Sequence, residues 1–182
     1  MVVAITLAGL LSACDSSAAT ETSTTSPVAA PSSPSAAQAR PPAPAKTQGW
    51  LQIFSGTALA GARDVQLTAT SKPVIGQYVS DGGSRSLYRF DKDTAKPPTS
   101  TCAGQCATTW PPLTVARGQS VFAAGIDPQL VGFIERADGS CQITIGGWPV
   151  YYFSKDELPG DLLGQGVGGT WFAVTPNGGK AR

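Results

Sequence analysis

Ser86–Asp93 reads SLYRFDKD and Pro149–Asp156 reads PVYYFSKD. Both contain Tyr-x-Phe-x-x-Asp, first as Tyr88, Phe90 and Asp93, then as Tyr151, Phe153 and Asp156, each residue displaced by 63 positions. A pattern repeated at one spacing constrains the chain to two like structural units. A Gly-containing turn lies upstream of each copy, and a tryptophan on an apolar segment lies downstream, Trp110 and Trp171. Two units of about 60 residues, packed on a pseudo-twofold, account for this spacing. The period of two puts Tyr and Phe on one face of a strand, with the Asp just past its end.

The surrounding sequence predicts an all-β domain. Val65–Thr70 alternates apolar and polar residues, the pattern of a strand with one buried face. Val74–Val79 and Ser86–Phe90 flank Ser80-Asp-Gly-Gly-Ser84, whose residues tolerate positive φ, so they read as a hairpin. A second hairpin runs along Leu130–Arg136, turns at Asp138-Gly139 and returns along Gln142–Ile145. Gly146-Gly147 turns the chain again into Pro149–Phe153, and Trp171–Val174 forms a last strand. One short helix is expected within Cys102–Thr109, stopped by Trp110-Pro-Pro.

The N-terminal part has a different character. Met1–Cys14 is an apolar run too short for a membrane-spanning helix, which needs about 20 residues. It suits the core of an export signal, and Leu11-Ser-Ala-Cys14 at its end resembles the bacterial lipobox, whose cysteine becomes lipidated. No Lys or Arg precedes the run, so the translation start is expected a few residues upstream. A diacylglyceryl group on Cys14 with a further amide-linked chain would anchor stably, at about 0.8 kcal/mol per buried CH₂. Residues 15–47 are almost wholly Ala, Ser, Thr and Pro. They bury too little apolar surface to offset ordering entropy and read as a disordered tether. The folded domain is therefore expected over residues 48–182, about 135 residues, ample for one core.

Composition removes many functions. The chain has no His, and its single Met is Met1, so zinc, type-1 copper and haem sites lack their usual ligands. Ser-His-Asp and Cys-His catalysis fall for the same reason, and no metal or cofactor is expected. Net charge is +1 without a long basic run, which leaves a nucleic-acid partner no electrostatic footprint.

The repeated motif has two readings. In one, the aromatics fill the core and Asp93 and Asp156 cap the turns that follow. In the other, the two carboxylates line a shared cleft and do acid/base work of the glycosidase kind. Trp148, Tyr152 and Trp171, with Tyr151, offer a stacking platform for a cell-wall glycan or an apolar small molecule. The Gly-rich Gly160–Trp171 could line such a site with backbone amides, but it lacks the Gly-Lys-Ser/Thr ending of a phosphate loop.

YRFDKD, CAGQCATTWPPL, ERADGSCQITIGGWPVYYFSKD and PGDLLGQGVGGTWFAVTP, in that order, resemble the bacterial secreted-repeat lipoproteins with their Tyr-x-(Phe/Trp/Tyr)-x-x-Asp motif. The resemblance covers about Val74 to Pro176 and implies an envelope lipoprotein built from the repeat, of unassigned biochemical role. With Cys14 lipidated, three thiols remain, an odd number for an oxidising compartment. Chain entropy alone favours a bridge from Cys102 or Cys106 to Cys141, about 4 kcal/mol against about 2 for the short loop. The family pattern instead implies Cys102–Cys106, with Cys141 a departure from it.

The sequence thus points to a lipid-anchored, extracytoplasmic envelope protein with a non-enzymatic binding or structural role. Its expected partners are the membrane, through Cys14, and a cell-wall or small-molecule ligand. The alternative is a thiol-redox or electron-transfer accessory using Cys102 and Cys106. The three residues between them depart from Cys-x-x-Cys, and no His stands by to lower a thiol pKa. A hydrolase using Asp93 and Asp156 comes third.

Overall fold

The computed structural model describes residues 42–182. Cys14, the signal and the tether up to residue 41 lie outside the described residues. The domain is all-β. Its strands are β1 (Lys46–Gln48), β2 (Leu51–Ser55), β3 (Val65–Lys72), β4 (Gly76–Asp81), β5 (Tyr88–Phe90), β6 (Thr94–Ala95), β7 (Pro98–Thr99), β8 (Val121–Ala124), β9 (Val131–Glu135), β10 (Cys141–Ile145), β11 (Trp148–Pro149) and β12 (Trp171–Ala173). The expected helix is five residues long, α1 (Gln105–Thr109). β1 takes in Lys46 and Thr47, so strand pairing begins slightly before residue 48.

The five-stranded sheet has the order β1-β2-β8-β3-β4, and a three-stranded sheet the order β11-β10-β9. β8 lies parallel to both β2 and β3, while the other neighbours are antiparallel. Alternation decides which face is buried: in β2, Leu51 and Ile53 are fully buried while Gln52 is exposed. These side chains join Leu67, Val121, Val131, Ile143 and Ile145 in an aliphatic core. Each such side chain contributes about 1.5–3 kcal/mol by leaving water.

Main-chain hydrogen bonds show how the two repeats are joined. Val79 N donates to Val174 O, Val174 N to Leu87 O, and Leu87 N to Val79 O, each at 2.9 Å. The second repeat has the same closed ring: Ile143 N to Leu113 O, Leu113 N to Val150 O, and Val150 N to Ile143 O, at 2.9, 3.0 and 3.1 Å. Val174 ends the second repeat and completes the first repeat's ring; Leu113 ends the first and completes the second's. The tails are exchanged. Accordingly β12 pairs with β5, Trp171 opposite Phe90 and Ala173 opposite Tyr88, and Pro112 bridges to Tyr151. Tyr88 and Tyr151 face each other across the pseudo-twofold, each backbone N–H bonded to the other's carbonyl at 2.8 and 2.9 Å.

Val74 falls outside β4 and is 86% exposed, because the turn out of β3 occupies it. Pro149–Phe153 is not a continuous strand: β11 covers Trp148–Pro149, and Tyr151 pairs as isolated bridges to Tyr88 and Pro112 on either side.

Candidate functional site

Short motif strands bring the repeated residues into one buried aromatic cluster on the pseudo-twofold. Phe90 stacks on Trp171 at 4.1 Å between ring centroids, Trp171 on Trp110 at 3.9 Å, and Trp110 on Phe153 at 4.2 Å. This four-ring column alternates between repeats and is centred on the two tryptophans, whose planes differ by 1°. Tyr88 and Tyr151 meet it edge-on, against Trp110 and Trp171 respectively.

The motif aspartates are cross-wired. Tyr88 Oη donates to Asp156 Oδ2 at 2.6 Å, and Tyr151 Oη donates to Asp93 Oδ2 at 2.6 Å. The remaining oxygen of each carboxylate holds the loop that follows. Asp93 Oδ1 accepts from Thr101 N and Oγ1, and Asp156 Oδ1 accepts from Leu163 N. Asp93 and Asp156 are 3% and 7% exposed, so neither is presented to a substrate. Burial, then the bonded aspartate, pushes the Tyr88 and Tyr151 hydroxyls well above the usual phenol range. Burial also raises the Asp156 carboxyl, outweighing its two donors. The two carboxylates do not form the pair that hydrolytic chemistry requires; each is an internal acceptor for the other repeat.

The stacking platform is not assembled either. Trp171 is inside the column and 5% exposed. The Arg89 guanidinium covers Trp148 at 3.2 Å from the ring centroid, and Arg85 covers Tyr152 at 4.1 Å. Tyr152 Oη also donates to Asp81 Oδ2 at 2.9 Å. The Gly-rich segment serves packing: a Cβ on Gly164 would stand 2.8 Å from the Tyr88 ring and 2.9 Å from Trp110.

Cys102 and Cys106 form a disulfide, with Cα atoms 5.3 Å apart, and among the described residues Cys141 is the one unbridged cysteine. Cys102 is buried and Cys106 half-buried. Beside the bridge lies a cleft of about 640 Å³, bounded by β7, Cys102–Gly104, Ala107 of α1 and the end of β9 with the turn that follows it. A directed chain of hydrogen bonds leads inward from it: Arg136 Nη1 donates to Ser100 Oγ at 2.8 Å, Ser100 to Tyr151 Oη at 2.7 Å, and Tyr151 to Asp93.

Sequence reasoning missed the three arginines. A signal existed for two of them: at the 63-residue offset, Arg85 and Arg89 correspond to Trp148 and Tyr152. One repeat carries cations where the other carries rings, and each guanidinium covers the diagonal ring. Arg136 has no counterpart, its equivalent being Pro73.

Residues 69–114 and 132–175 each match the model of a family described as a secreted repeat of unknown function. No curated protein and no solved structure matches the chain significantly.

Proposed function

This chain is a member of the secreted-repeat family, and from that premise we propose that it is a lipid-anchored protein of the cell envelope whose folded domain binds or scaffolds rather than catalyses. The observation that carries the reading is the burial of the repeated motif. Its aspartates and tyrosines are consumed in joining the two repeats, so the motif's chemistry is architectural. The lipobox-like Leu11–Cys14 supports the anchor, and the disulfide suits an oxidising compartment.

The test is metabolic labelling with radiolabelled palmitate of the full chain and its Cys14→Ala variant in a lipoprotein-exporting bacterium. We expect label in the membrane fraction with the parent chain, and an unlabelled, membrane-free variant that keeps its disulfide. Equal labelling of the variant, or an unlabelled parent chain, would overturn the anchor.

A second reading, a thiol-redox accessory, is favoured by the position of Cys106, half-buried on an element that walls the cleft. It requires the bridge to equilibrate with a glutathione buffer while the domain stays folded. A bridge reduced only upon unfolding would remove it.

A further inference from the structure

Among the described residues, Arg89 and Arg136 are the two with a buried side-chain nitrogen, Nε in each case, that lacks a hydrogen-bond partner. Buried polar groups are nearly always paired, so each asks for a reason. Arg89 is roofed by Trp148, and its terminal nitrogens bind Gly178 O and Asp91 Oδ1. Arg136 instead lines the cleft beside the disulfide. Its side chain is 6% exposed; Nη1 is spent on Ser100 and Gln142, and Nη2 donates once, to Cys102 O. The Nε side of the guanidinium, the edge that grips a carboxylate in the fork geometry, has no acceptor. Asp138 Oδ2 stands 3.6 Å away, beyond hydrogen-bond distance, on a carboxylate that is 63% exposed and whose Oδ1 accepts from Ser140 N and Oγ; a ligand carboxylate would take the place of Oδ2.

The rest of the cleft narrows what would complete this edge. Glu135 and Asp138, both exposed, place two carboxylates at the rim, while Pro98, Ala107 and Ile134 supply apolar wall. A simple anion meets the two rim carboxylates, and a simple cation meets the buried guanidinium. A molecule carrying both charges satisfies both, and about 640 Å³ falls in the range of small-molecule sites. We propose that this cleft binds a small zwitterion, a free amino acid or short peptide, with its carboxylate on the Nε edge of Arg136 and its ammonium toward Glu135 and Asp138. This rests on the binding role proposed above and gives it a ligand class.

The experiment is amide NMR of the isotope-labelled full chain, titrated separately with alanine, alanyl-alanine, propionate and ethylamine to about 10 mM. Saturable shifts at Ser100, Ala103 and Arg136 are expected with alanine or alanyl-alanine, the better of the two showing whether free amino acid or peptide is preferred. Propionate and ethylamine should bind at least about tenfold more weakly. Arg136 also holds Ser100, Gln142 and Cys102, so its replacement risks the fold; the decisive variant is E135Q/D138N at the exposed rim. It should weaken zwitterion binding about tenfold while tightening propionate, an opposite response that loss of structure would not produce. Propionate binding as tightly as alanine, or no saturable shift at these amides with either zwitterion, overturns the site. Saturable shifts confined to another part of the domain would also overturn it while leaving the broader binding role standing.

Discussion

The hydroxyl of Tyr88 donates to the carboxylate of Asp156 across 2.6 Å, although the two residues belong to different repeats and are 68 positions apart. Tyr151 and Asp93 repeat the contact in reverse at the same distance. The tyrosine of each Tyr-x-Phe-x-x-Asp motif is therefore completed by the aspartate of the other. The motif specifies the junction between units rather than either unit alone, which is why it sits on the pseudo-twofold and not at a surface.

That wiring predicts specific couplings. Tyr88→Phe and Tyr151→Phe each leave a buried carboxylate short of a donor, at a cost of about 1–3 kcal/mol in urea unfolding. In double-mutant cycles Tyr88 should couple to Asp156, and Tyr151 to Asp93, by more than about 0.5 kcal/mol. Tyr88 paired with Asp93 of its own repeat should be nearly additive. Stronger coupling within a repeat than between repeats would refute the cross-wiring.

The parallel contact of Trp110 and Trp171 at 3.9 Å should give an exciton couplet in circular dichroism. Trp110→Phe and Trp171→Phe should each abolish it alike, since the couplet needs both indoles. Replacement of either by Ala should cost about 3–5 kcal/mol, because the neighbouring rings cannot close so large a void. A couplet that survives either Phe variant would mean the column is not formed in solution.

The repeat, the all-β class and strands such as β3 and β9 were legible because alternation and Gly/Asp turns are local signals. β8 was not. Val121–Ala124 is four residues between loops, and it becomes a strand only because β2 and β3 offer it parallel edges from distant sequence. The exchange of Leu113 and Val174 was equally hidden, since equal spacing is compatible with side-by-side units and with intertwined ones. At the site, the aromatics were found but their neighbours were not: the 63-residue offset sets Arg85 and Arg89 against Trp148 and Tyr152, but only the packing of the two repeats lays each guanidinium over the diagonal ring. Chain entropy favoured a bridge to Cys141, whereas Cys102 and Cys106 are brought within reach by the turn into α1.

Asp156 gives stability a distinct pH dependence. Burial raises its carboxyl above the ordinary value of 3.8, so the native state takes up a proton at higher pH than the unfolded chain does. Between that raised value and 3.8, the folded chain binds more protons, and this residue's contribution to stability therefore rises as pH falls. Asp156→Asn should remove that component. Urea midpoints of parent and variant, compared from pH 7 to pH 4, should show the parent gaining relative to D156N as pH falls; a parent that loses ground over this range would contradict the assignment.

The cysteines can be counted directly. Alkylation of the denatured chain without reductant, followed by peptide mass mapping over residues 42–182, should label Cys141 alone; after reduction it should label Cys102 and Cys106 as well. Cys106→Ser should cost about 2 kcal/mol, the chain-entropy value for so short a loop. Labelling of Cys102 or Cys106 before reduction would mean that the bridge is not formed.

The exchanged tails also predict that neither repeat can stand alone. A break between Arg117 and Gly118, in an exposed loop, separates the two rings of main-chain bonds from the residues that close them. The first fragment retains Val79 and Leu87 but loses Val174, so a buried N–H and a buried carbonyl are left without partners, and Trp110 loses Trp171. The second fragment loses Leu113 in the same way, and its β8 has no β2 or β3 to lie between. Each fragment should be unfolded by amide NMR, and mixing them should give a 1:1 complex that regains the tryptophan couplet in a concentration-dependent manner. A first fragment that folds alone, with dispersed amide signals, would show that the units are independent and that the exchange only decorates them.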